Sequence, residues 1–164
     1  MFQIVLFLHV IGAILAFGPT YAYSIIGAMG GAEPMHANFA TRVSEKIGTT
    51  LVYPLAILQG VTGVALIIIG GIKLFEQPWL MIAIVLYVGA LAYGFTIQRN
   101  NVHRLIELTT PPAGGPPPGG PPPGAPAGPP PGVAEVVRRI QLGGMGLGIT
   151  IAVIVFLMVT KLRF

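Results

Sequence analysis

Four long runs of apolar residues constrain this chain more than any other feature of its sequence. They cover roughly residues 2–30, 48–72, 79–98 and 141–160. Each run is close to, or longer than, the about 20 residues that an α-helix needs to cross a bilayer. The sequence therefore predicts an all-α fold, a four-helix transmembrane bundle that forms a single integral membrane domain over residues 1–164.

The composition supports a membrane location and excludes several other classes of protein. Only 9% of the residues are charged and the mean hydropathy is +0.81, whereas soluble domains carry about 25% charged residues. The lipid bilayer is thus the expected partner, and the scattered basic residues give no nucleic-acid surface. The first run lacks the basic start and the short apolar core of a secretory signal, so we expect a retained helix. Without cysteine, disulfides and thiolate metal sites are excluded.

The basic residues predict the orientation of the bundle. One side of the membrane carries Lys73, Lys161 and Arg163, and the other carries six basic residues: Arg42, Lys46, Arg99, Arg104, Arg138 and Arg139. Because positive loops stay in the cytoplasm, we expect loops one and three inside and both termini outside. The prediction is a multi-pass protein of the plasma membrane.

Loops one and three have different predicted structures. Loop one, before the second run, is polar and is expected to hold a short interfacial helix, with Ser44 or Thr41 capping the helix that follows. Loop three contains PPAGGPPPGGPPPGAPAGPPPG at 111–132. This Pro/Gly tract predicts a disordered, partly polyproline-II cytoplasmic linker. The alternative is a ligand for a proline-recognising partner, since Pro118 and Pro121 have PxxP spacing.

Polar residues on several runs fall at similar depths. A rise of 1.5 Å per residue places His9 roughly 10 Å below the outer surface, Tyr87 at ~12 Å and Thr150 at ~15 Å. Gln59 lies at ~14–20 Å, depending on where its helix ends. The sequence thus predicts one polar layer in the outer half of the membrane, with Gln59 and Tyr87 as neighbours of His9.

His9 is the residue of this layer whose side chain can take the widest range of chemical roles. An unpaired polar group in hydrocarbon costs several kcal/mol, so the ring should face the bundle, where Gly12, Ala13 and Ala16 allow close packing. One interpretation is a neutral imidazole hydrogen-bonded to Gln59 or Tyr87. The alternative is contact with a haem, a metal or a quinone. The other histidines, His36 and His103, fall in cytoplasmic segments, which disfavours a bis-histidine haem.

A five-coordinate haem on His9 remains open, as does a copper site of His9 with Met81 and Met158. The runs contain no carboxylate, so the sequence predicts neither a hydrolytic site nor a proton relay. Glycines at 143–148, GGMGLG, favour close helix packing within the chain, with dimerisation as the alternative.

Several segments carry a family resemblance. LFLHVIGAILAFGP, YPLAILQGVTGVALI and VIVFLMVTK resemble predicted four-helix integral membrane proteins of unknown function, a DUF-type class. That class in turn is similar to the copper-resistance D and protoporphyrinogen oxidase J membrane domains. The resemblance implies haem or copper handling at the first-helix histidine, which is His9 here. From the residues themselves we expect a four-helix membrane protein that is non-enzymatic, or whose activity the sequence does not reveal, as an accessory subunit of a larger complex, with the haem and copper functions as alternatives.

Overall fold

The computed structural model describes residues 1–110 and 130–161, which contain four long helices and no strand. The helices are α1 (Phe2–Ala32), α2 (Ala37–Ile69), α3 (Pro78–Thr109) and α4 (Val133–Thr160). Each contains a stretch long and apolar enough to span a membrane. The predicted all-α fold with four transmembrane helices is therefore confirmed. The predicted linker lies outside the described residues, except for Pro130–Gly132, which lead into α4.

Helices α2 and α3 each combine an apolar part with a polar part. The polar parts, Ala37–Ile47 and Arg99–Thr109, join the apolar parts through single π-helical segments, Gly48–Val52 and Gly94–Gln98. Helices of 33 and 32 residues are about 50 Å long, whereas the hydrocarbon core is about 30 Å thick. The polar parts therefore extend beyond the hydrocarbon where α2 begins and α3 ends.

The start of α2 differs from the prediction for loop one. No separate interfacial helix precedes the second transmembrane helix, because Ala37–Ile69 is continuous. The hydroxyl groups of Thr41 and Ser44 donate to the carbonyl oxygens of Ala37 and Ala40 one turn earlier, so neither residue is a helix cap. The reason is that no proline or turn sequence interrupts residues 37–47 and their amphipathic pattern continues the helix.

The helices pack mainly as two pairs. Helix α1 packs along α2, and α3 packs along α4. A buried apolar cluster holds the second pair together where α3 begins: Trp79, Leu80, Ala83 and Leu157. Helices α2 and α3 run antiparallel and are joined by residues 70–77, in which Gly71 has a φ of 59°. They pack closely in their polar parts but diverge in their apolar parts.

Most large apolar side chains lie on the outside of this bundle. Ile14, Val85 and Val159 are 59%, 70% and 75% exposed. Exposing such a surface to water would destabilise the fold, whereas lipid tails solvate apolar side chains without a cost in free energy. The packing therefore agrees with a protein that has the bilayer as its solvent.

Candidate functional site

His9 lies on the face of α1 that packs against α2. Gly12 and Ala16, one and two turns further along, share this face and are buried. Because both residues are small, the two helix backbones approach closely. The imidazole is therefore sandwiched between α1 and α2.

Both ring nitrogens of His9 contact side chains of α2. Nε2 lies 2.9 Å from Nε2 of Gln59, and Nδ1 lies 2.9 Å from Oγ1 of Thr62. Gln59 and Thr62 are three residues apart, and such pairs are neighbours on one helix face. They are only 8% and 9% exposed. We call these three residues the His9 clamp.

The Gln59 amide, with its nitrogen facing the ring, sets the direction of the hydrogen bonds in the clamp. Gln59 donates an amide N–H to Nε2 of His9, which is therefore unprotonated. Nδ1–H then donates to the Thr62 hydroxyl oxygen. That hydroxyl donates to the carbonyl oxygen of Leu58, 3.0 Å away. This arrangement requires a neutral imidazole with its proton on Nδ1.

Two glycines make room for the clamp. A Cβ on Gly63 would lie 3.3 Å from Cε1 of His9, and a Cβ on Gly12 would lie 3.1 Å from Oε1 of Gln59. A Cα–H of Gly12 therefore points at this oxygen, which has no hydrogen-bond donor among the described residues. Such Cα–H···O contacts recur at close helix interfaces.

Tyr87 lies at the height of the clamp but on another side of α2. Its hydroxyl donates to the carbonyl oxygen of Ala56, and its ring lies against Gly60. It makes no hydrogen bond to His9. Thr150 donates to the carbonyl oxygen of Gly146 in its own helix. The structure thus brings Gln59 to His9, whereas Tyr87 connects α3 to α2.

Met81 and Met158, the methionines of the predicted copper site, lie on the other helix pair. Met158 packs against the apolar cluster of α3 and α4, and Met81 is 39% exposed on α3. The polar contacts of His9, by contrast, go to α2. Within residues 1–110 and 130–161, no group of three or more His, Asp or Glu side chains could hold a metal ion.

Thr62 is the clamp residue that the sequence argument missed. Its position three residues after Gln59 places it on the same face of α2, so helical spacing was a signal that could have found it. A threonine is easily overlooked because it can bond within its own helix, as Thr150 does.

Comparison with known proteins gives one match. A family model described as "Predicted integral membrane protein (DUF2269)" matches residues 3–111. The match covers α1 to α3 and ends where the Pro/Gly tract begins. No curated protein and no solved structure matches significantly. Nothing in these comparisons supports the expected relation to the copper-resistance D or protoporphyrinogen oxidase J domains.

Proposed function

The chain belongs to the DUF2269 family of predicted integral membrane proteins, and from this premise we propose that it is a non-enzymatic accessory subunit of a complex in the plasma membrane. The observation that carries the proposal is the His9 clamp. Both ring nitrogens bond to α2, so the histidine fastens two helices to each other. A residue in this role contributes to the shape of a subunit.

Haem or copper binding through His9 fits this geometry poorly. An iron or copper ion would need a free lone pair on one ring nitrogen. The lone pair of Nε2 accepts the Gln59 N–H, and Nδ1 carries the proton in this arrangement. Ligation at Nε2 would leave the Gln59 amide N–H without its acceptor inside the membrane, where an unpaired polar group costs several kcal/mol. The clamp would have to open before a cofactor could bind.

Other polar side chains in the apolar parts are also used for structure. Tyr87 bridges α3 to α2. Several hydroxyl groups donate to a carbonyl oxygen of their own helix: Thr20, Ser24, Thr96, Thr150 and Thr160. This pattern satisfies hydrogen bonds within lipid, and it supports a scaffolding role over a catalytic one.

An absorption spectrum separates the proposal from its rivals. The protein is purified in mild detergent from cells supplied with a haem precursor and, separately, with copper. We expect no Soret band and no stoichiometric copper. A Soret band that disappears in His9→Ala would overturn the proposal in favour of a haem protein. Stoichiometric copper that is lost in the same variant would favour the copper function.

The accessory role itself is tested by isolating the tagged chain from native membranes in mild detergent. We expect a particle that contains other membrane proteins in fixed ratio, and the same particle from the variant Arg138→Gln, which serves as the control. A chain that is recovered alone would contradict the accessory role. A particle made only of copies of this chain would replace it with a homo-oligomer.

A further inference from the structure

A series of polar contacts connects α2 to α3 along the length of both helices. At one end the Asn38 amide nitrogen lies 2.9 Å from the Thr109 hydroxyl oxygen. Glu45 lies 3.4 Å from Nε2 of His103. Further contacts are Tyr53 OH to Gly94 O and Tyr87 OH to Ala56 O. We call this line of contact the α2–α3 seam.

The apolar part of the seam contains an open groove. It has a volume of about 390 Å³ and is lined by Ile57, Gly60, Val61, Val64, Tyr87 and Leu91. The apolar parts of the two helices make few contacts with each other here, and the Tyr87 side chain crosses between them. Its lining offers no spare polar group, since the Tyr87 hydroxyl donates to Ala56. Ile57 and Val61 are 54% and 60% exposed, so the groove opens toward lipid.

Two exposed basic side chains lie beyond the groove, one on each helix. Arg99 follows Tyr87, Leu91 and Phe95 on α3 at steps of four residues, and residues so spaced are neighbours on one face. On α2, Lys46 precedes the groove residues Ile57 and Val61 along the helix. Arg99 and Lys46 are both exposed.

These two cations have no acidic partner within the described residues. Glu45, the acid of the seam, lies 3.4 Å from Nε2 of His103 and makes no ion pair with either cation. Arg99 uses its Nε–H to donate to Nε2 of His103, at 3.3 Å, and its terminal nitrogens bond to no described side chain. The basic end of the seam is therefore able to attract an anion.

The distance between groove and cations corresponds to one lipid leaflet. Leu91 and Tyr87 precede Arg99 by eight and twelve residues, which is about 12 Å and 18 Å along the helix. Half of the hydrocarbon core is about 15 Å thick. An acyl chain that starts at the level of Arg99 would therefore end in the groove.

We propose that the α2–α3 seam binds an anionic phospholipid. One acyl chain occupies the groove beside Gly60, and the phosphate lies against Arg99 and Lys46. The aromatic pair Tyr53 and Phe95, with ring centroids 4.6 Å apart, lies between the groove and the basic side chains. It contacts the part of the acyl chain next to the headgroup. The lipid completes the packing where α2 and α3 diverge.

Native mass spectrometry of the full chain tests this site. Protein is released from nanodiscs that contain equal amounts of dioleoyl phosphatidylglycerol and dioleoyl phosphatidylcholine. We expect preferential retention of phosphatidylglycerol, lowered about fivefold in Arg99→Gln, since one cation near an anionic lipid surface contributes about that factor. Arg99→Lys should keep most of the retention. Arg138→Gln, an exposed cation on α4, is the control and should have no effect.

Two further measurements distinguish a lipid from a free anion. Ile57→Trp fills the groove and should abolish retention, whereas Val85→Trp, at an exposed site outside the groove, should not. Glycerophosphoglycerol, the headgroup without acyl chains, should not compete. Equal retention of both lipids, retention that Arg99→Gln or Ile57→Trp leaves unchanged, or competition by the free headgroup would overturn the proposal. Unaltered helical circular dichroism confirms that each variant is folded.

Discussion

Gln59 donates its side-chain amide to His9 across the interface of α1 and α2, with the two nitrogens 2.9 Å apart. The pair lies within the apolar parts of both helices, and Gln59 is 8% exposed. Each side chain thus gives the other a hydrogen-bond partner that it would otherwise lack in hydrocarbon. The relationship explains why an ionisable residue occurs in a run of apolar residues.

The energy of this contact can be measured with a double-mutant cycle of His9→Leu and Gln59→Leu. We expect each single variant to lower the free energy of unfolding, and a coupling energy of about 0.6 kcal/mol, the average for membrane hydrogen bonds. The measurement is unfolding by sodium dodecyl sulfate in mixed micelles. A matched cycle of His9→Leu with Tyr87→Phe should give no coupling, because Tyr87 bonds to Ala56 instead. Equal coupling in both cycles would refute the specific pair.

Gly12→Ala is predicted to destabilise the α1–α2 pair. The added Cβ would lie 3.1 Å from Oε1 of Gln59 and would displace the amide from His9. Gly27→Ala in the same helix is the control, since its Cβ meets nothing within 4 Å. There the gain of about 0.5–1 kcal/mol in helix propensity should dominate. In the same unfolding assay, we expect Gly12→Ala to lower the free energy of unfolding and Gly27→Ala to raise it. A higher free energy of unfolding in both variants would count against the close packing.

Asn38→Ala is predicted to loosen the end of α3. The amide nitrogen of Asn38 donates to Ile106 O at 3.1 Å and to Thr109 Oγ1 at 2.9 Å. Losing a contact of about 1 kcal/mol should speed hydrogen exchange in residues 105–110 about fivefold. Asn100→Ala, an exposed position on α3, should leave the exchange rates unchanged. Unchanged rates in Asn38→Ala would show that the Asn38 contacts do not hold this end.

The orientation predicted from the basic residues can be tested by cysteine labelling, because the chain has no cysteine. Glu33→Cys and Gly115→Cys should react with a membrane-impermeant maleimide only after the cells are permeabilised. Glu76→Cys, in the loop between α2 and α3, is the matched control and should react in intact cells. The reverse pattern would place loops one and three outside.

The four transmembrane helices were predictable because lipid demands long, uninterrupted apolar runs. Their ends were harder to predict. The polar parts of α2 and α3 continue the helices into segments that hydropathy alone assigns to loops, and packing between these parts stabilises them. Contacts such as Asn38 to Thr109 join residues far apart in sequence, which no local pattern reveals.

The candidate site was predictable only in part. Equal depth suggested both Gln59 and Tyr87 as neighbours of His9, and only Gln59 bonds to it. Depth fixes height along a helix but not the direction around it, so the side of α2 on which Tyr87 lies could not be inferred. Thr62 shares a face with Gln59, and this spacing was readable from the sequence.

Both nitrogens of His9 are held by side chains of α2. ¹⁵N NMR of histidine-labelled protein in nanodiscs tests this arrangement, with the His9 signals assigned by their loss in His9→Gln. We expect a single neutral tautomer with the proton on Nδ1 and an unprotonated Nε2, unchanged when haemin or copper is added. Rapid exchange between the two tautomers, or signals shifted by either additive, would contradict it.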